Sequence, residues 1–128
     1  MNVHPDGTPM RRRCVLAFLL FWLTVGAGGA ERVFNIRIEN GRAPETMRFV
    51  RVNQGDVVKL RWSTDRAVIL HLHGYDIERR VTPGQIVEMI FEARVTGRFP
   101  VHVHAAGPTA GRPAREEAAL VYVEVYPR

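Results

Sequence analysis

Four of the chain's five histidines fall in two His-x-His steps, His71-Leu72-His73 and His102-Val103-His104. In an extended strand, residues i and i+2 project from the same face, so each step presents two imidazoles side by side. Neutral imidazole is a nitrogen donor of borderline softness, suited to Cu(II) and Zn(II). Two such strands brought together would assemble a four-nitrogen metal site from His71, His73, His102 and His104. Coordination needs unprotonated rings, so binding would fade as pH falls below ~6.5. The plainer reading is that these are solvent-facing polar residues alternating with Leu72 and Val103. Asp76, close behind His73, reads as a turn residue first and as an acceptor orienting a ligand imidazole second.

Those histidines need strands to hold them, and the dominant period of the chain is two. Phe34, Ile36 and Ile38 alternate with polar residues, as do Val58, Leu60 and Trp62. Val68, Leu70 and Leu72 alternate with Ile69 and His71; Val87, Met89 and Phe91 with Glu88 and Ile90. Phe99, Val101 and Val103 alternate with Pro100 and His102; Val121, Val123 and Val125 with Tyr122, Glu124 and Tyr126. Each run has the pattern of a half-buried strand, and a weaker one is expected over residues 47–52. Turn residues punctuate them: Asn40-Gly41, Asn53-Gln54-Gly55-Asp56, Ser63-Thr64-Asp65, Thr82-Pro83-Gly84 and Thr96-Gly97. About seven strands and no convincing amphipathic helix predict a small antiparallel β-sandwich. The longest irregular connection, 105–118, begins directly after His104 and is a further candidate for function.

Residues 1–30 have the anatomy of a secretory signal. Arg11-Arg12-Arg13 precedes an apolar run from Cys14 to Ala27, and Gly26-Ala27-Gly28-Gly29-Ala30 offers cleavage after Ala27 or Ala30. The run, 14 residues long, falls short of the roughly 20 that span a bilayer, so contact with the membrane is expected only if the signal stays uncleaved. A Sec-type route is expected, although the paired arginines also permit a twin-arginine route. The remaining domain, 31–128, is expected to be periplasmic or otherwise extracytoplasmic. It holds no cysteine, because Cys14 is the only one in the chain, so neither a disulfide nor a thiolate ligand is available there. Its 15 basic and 12 acidic side chains leave a net charge of only +3. The arginines are spread out, with no basic groove interleaved with aromatics, which argues against a nucleic-acid partner. No nucleophile motif is present, and an enzyme is not expected.

The order of motifs resembles the cupredoxin superfamily. Gly55-Asp56-Val57-Val58 opens a strand, followed by Ser63-Thr64-Asp65, the first histidine strand, Pro83-Gly84-Gln85, the Phe91 strand, Thr96-Gly97-Arg98-Phe99 and the second histidine segment. His71-Leu72-His73-Gly74-Tyr75-Asp76 is similar to a stretch in EfeO-type cupredoxin-like domains of bacterial envelope proteins. The resemblance covers about residues 33–126 and implies a cupredoxin-like Greek-key β-sandwich in which the two histidine segments lie close together. The chain departs from blue-copper cupredoxins because no ligand cysteine or following methionine stands in the segment after Gly97. A type 1 copper–thiolate site is therefore chemically excluded. The expected function is envelope metal handling, with copper or zinc bound by His71, His73, His102 and His104. Two rivals stand beside it: a metal-free module that pairs with an envelope protein through an edge strand or the 105–118 loop, and an accessory to iron uptake.

Overall fold

The computed structural model describes residues 28–106 and 118–128. Most of the signal-like segment 1–30 (residues 1–27) and most of the long connection (107–117) lie outside the described residues. Eight strands are described: β1 (Glu31–Ile38), β2 (Phe49–Asn53), β3 (Val57–Thr64), β4 (Val68–Leu72), β5 (Ile77–Val81), β6 (Val87–Glu92), β7 (Gly97–Ala105) and β8 (Val121–Tyr126). One 3₁₀ turn, Glu45–Met47, precedes β2. Among the described residues no helix is long and apolar enough to cross a membrane.

The strands form two sheets, β1-β3-β6 and β2-β8-β7-β4-β5. Their inward-facing residues are those the alternation marked. Ile36, Ile38, Val58, Leu60, Trp62 and Met89 from the first sheet meet Val50, Leu70, Leu72, Val101, Val121 and Val123 from the second, all essentially inaccessible to solvent. Burying one face of each strand fixes register, because a slip by one residue would exchange its inner and outer faces.

Two expectations need correction. The sandwich is not wholly antiparallel: β1 pairs with β3, and β2 with β8, in parallel. Each parallel pair joins strands separated in sequence by a passage through the opposite sheet, which period-two patterning cannot reveal. The strand β5 was not anticipated. Its sequence Ile77-Glu78-Arg79-Arg80-Val81 has three consecutive exposed charged residues and contributes mainly Val81 to the core. As an edge strand it satisfies its backbone against β4 alone, and charge on such an edge is a normal defence against unwanted pairing.

The ends of the described fold converge on one buried carboxylate. Asp56 is fully buried. Its Oδ1 accepts from the Ala30 backbone N–H at 3.1 Å and from Arg128 Nη2 at 2.8 Å. Its Oδ2 accepts from the Asn53 N–H at 3.0 Å and faces Arg32 Nε at 3.5 Å. The carboxyl is held below its ordinary pKa chiefly by the Asn53 N–H, with further help from Ala30, Arg128 and Arg32 that outweighs the opposing effect of burial. Folding thus lowers this pKa. The resulting stabilisation is complete above the unfolded value of 3.8 and is lost as pH falls through the folded value. Replacing Asp56 with Asn should lower the melting temperature at neutral pH. The variant should also lose less stability than the wild type on acidification between about pH 4 and 2, as followed by circular dichroism.

Candidate metal centre

The histidine strands β4 and β7 are neighbours, paired antiparallel so that His71 stands directly opposite His102 and Ile69 opposite His104. Core demands produce this arrangement. Leu70 and Leu72 on β4 and Val101 on β7 point inward and are fully buried, so the residues between them must point outward. The ladder continues one step past β4, where the His73 N–H donates to the Pro100 carbonyl at 3.0 Å. His71, His73, His102 and His104 therefore share the outer face of the five-stranded sheet.

Three of the four rings gather. The His73 ring lies 4.1 Å from that of His71 and 4.7 Å from that of His102, centroid to centroid. His71 and His102 are half-buried, whereas His73 and His104 are exposed. His104 lies two residues beyond His102 on the same face, opposite Ile69, and its charge still bears on His73. Among the described residues, no three His, Cys, Asp or Glu side chains stand in an arrangement that would already hold a metal ion.

The turn carrying His73 is tightly specified. Gly74 and Asp76 both have left-handed backbones, with φ of 88° and 52°. A Cβ on Gly74 would lie 2.4 Å from the Phe99 ring, so both conformation and space require glycine there. Tyr75 packs between Phe91 and Phe99, with centroids at 4.6 and 4.9 Å. It anchors the turn from beneath and does not lie over the imidazoles. Asp76 is a turn residue and also reaches back to the cluster: its Oδ1 lies 3.2 Å from His71 Nε2. That contact fixes the orientation of the His71 ring and, with Nε2 protonated, leaves Nδ1 as its free donor. Glu78, which sequence reasoning passed over together with β5, stands directly opposite His71 on the other side and is exposed. It adds an oxygen donor to this face.

The cluster is electrostatically tense. The pKa of His73 lies below the ordinary value of 6.5, first because of desolvation and then because charge on His71, His102 and His104 repels its protonated form; Asp76 opposes this in part. Neutral imidazole is the form that coordinates a metal.

Farther along the same sheet face, Glu124 forms a separate structural knot. It accepts from Arg98 at 2.7 Å, from Arg51 at 3.1 Å and from the Tyr126 hydroxyl at 3.0 Å. The Arg98 guanidinium also lies over the rings of Phe49 and Tyr122. Nothing in the alternation marks this role beyond one acidic residue on the polar side of β8.

No protein-family model matches the chain, and no curated protein matches it. A solved structure, a cryo-EM structure of a heme-copper terminal oxidase dimer, superposes with a TM-score of 0.57 at 16% identity, over 73% of this chain and 64% of that one. The fold is a cupredoxin-like β-sandwich. At this identity the likeness speaks to architecture alone, and the matched region spans less than two thirds of the oxidase chain. The cupredoxin-like architecture implied by the motif order is thus present, with the imidazoles on the outer face of one sheet.

A proton titration of the metal-free protein, read by NMR on the imidazole carbons, tests the geometry. His73 should titrate below 6.5. Its midpoint should rise when His71 and His102 are both replaced by Gln, because two repelling charges are removed. An unchanged midpoint would mean that the rings do not meet.

Proposed function

We propose that this protein is an exported, cupredoxin-like metal carrier that binds a divalent transition ion, copper in the first instance and zinc as the alternative. His71, His73 and His102 would hold the ion, with His104 an outlying fourth imidazole. The observation that carries this reading is the His73 ring seated within 5 Å of both the His71 and the His102 rings. Donor chemistry supports it: an all-imidazole set without thiolate suits Cu(II) and Zn(II) and disfavours Cu(I). A bound ion would supply a positive charge exchangeable with partners. The residues of the chain would bind and orient it, Asp76 by holding the His71 ring and the Gly74 turn by placing His73 against the sheet. Exposure of His73 suits uptake and release, so handling or delivery of metal in the envelope fits better than catalysis. Export rests on the signal-like segment 1–30, and the similarity of His71–Asp76 to EfeO-type domains agrees with an envelope setting.

A metal-free interaction module is the competing reading. It is favoured by the absence of a ready-made ligand arrangement among the described residues. It also gains from the apolar side chains Val33, Val57 and Ile90, which are exposed on the outer face of the three-stranded sheet.

Calorimetric titration of the metal-stripped protein with Cu(II) and with Zn(II) near neutral pH separates the two. The metal reading predicts one equivalent bound. Binding should be abolished when His71, His73 and His102 become Gln, and weakened about tenfold in Asp76→Ala. His104→Gln should weaken binding far less than loss of any of the three gathered rings, by less than about threefold. Absence of heat with either metal, together with an unchanged melting point, would leave the interaction module.

A further inference from the structure

The residues just ahead of β1 belong to the folded domain, which bears on where an exported precursor would be cut. Small residues at 26–30 suit a signal-peptidase site after either Ala27 or Ala30, and their composition does not choose between them. The fold does. Ala30 extends the β1–β3 ladder, its carbonyl accepting from the Val57 N–H at 3.0 Å. Its own N–H donates to the buried Asp56 Oδ1 at 3.1 Å. Gly29 lies against the Gly55 backbone so closely that an added Cβ would fall 1.7 Å from the Gly55 carbonyl oxygen. A signal tail would accept alanine or serine at position 29 as readily as glycine; the packing against Gly55 admits only glycine. Gly28 and Ala30 are exposed and Gly29 is half-buried, so it is the backbone hydrogen bonds of Ala30 and the packing of Gly29 that tie this segment to the fold.

From this we infer that the processing site is the Ala27–Gly28 bond, and that Gly28, Gly29 and Ala30 form the first residues of the mature protein. The reaction is hydrolysis by a membrane-bound signal peptidase. Water adds across the peptide bond, leaving a carboxylate on Ala27 and a free α-ammonium on Gly28. Val25 and Ala27 then occupy the two small-residue positions ahead of the cut. Cleavage after Ala30 would instead remove both backbone hydrogen bonds of Ala30, leaving Asp56 Oδ1 with Arg128 and losing the bond to the Val57 N–H, and each lost bond costs stability. The inference rests on the export reading but is independent of metal binding.

The test is expression of the full chain with its own leader in a bacterial host, followed by fractionation and intact-mass measurement. An extracytoplasmic product running from Gly28 to Arg128 is expected. A product beginning at Glu31 would overturn the assignment while leaving export standing, and an uncut chain retained in the cytoplasm would overturn both. Two leader variants sharpen the result. Ala27→Leu should accumulate precursor, and Ala30→Leu should be cut at the same bond as wild type; the reverse pattern would refute the site. Gly29→Ala provides an independent readout. If Gly29 remains in the mature protein, the exported domain should melt lower by at least about 4 °C. A Gly29 discarded with the leader could not change the melting point at all.

Discussion

The register between β4 and β7 is the constraint on which the candidate site depends. Leu70, Leu72 and Val101 are buried on the inner face, and in the observed pairing His71 meets His102 on the opposite side. A slip of one residue would move the imidazoles into the core and the leucines into water. Each buried leucine contributes on the order of 2 kcal/mol of transfer free energy, so core packing holds the imidazoles on the outer face. The proximity of the histidines is a consequence of hydrophobic burial and needs no bound ion to maintain it.

The turn after β4 converts that proximity into a cluster. Gly74 permits the left-handed backbone and the approach of Phe99, Tyr75 locks the turn onto an aromatic trio, and Asp76 returns to the His71 ring. These contacts explain why the His71–Asp76 segment is so economical: every residue in it serves either the core, the turn or the imidazole face. At the opposite end of the sandwich, Asp56 gathers the chain's first described residues, the turn before β3 and Arg128 around one carboxylate. Folding and presentation of the site are therefore secured by different groups, and the site can be altered by mutation without disturbing that latch.

Much of this organisation was legible in the sequence because alternation is a direct signature of a sheet with one buried face. The runs ending in Ile38, Trp62, Leu72, Phe91, Val103 and Val125 all became strands with the expected inner residues. The gathering of His71, His73 and His102 followed from strand adjacency implied by the cupredoxin resemblance. What escaped was non-periodic. The edge strand β5 is charged along most of its length, so its pairing with β4 leaves little hydrophobic trace, and Glu78 was missed with it. The parallel pairings depend on how the chain crosses between sheets. Asp56 read only as a turn residue, because its three hydrogen-bond donors come from positions 30, 53 and 128 and its further ion pair from Arg32, a convergence that only the folded chain creates. The alignment of the two histidine strands was equally hidden, since His-x-His spacing fixes the face of a strand but not its register with another.

The most direct test of the central claim is long-range proton–nitrogen NMR of the histidine side chains, recorded on the metal-free protein and again with one equivalent of Zn(II) as a diamagnetic probe. Large nitrogen shifts at His71, His73 and His102, with His104 nearly unmoved, are the predicted result. Shifts confined to His102 and His104, or none at any imidazole, would contradict a metal site built on the β4–β7 register.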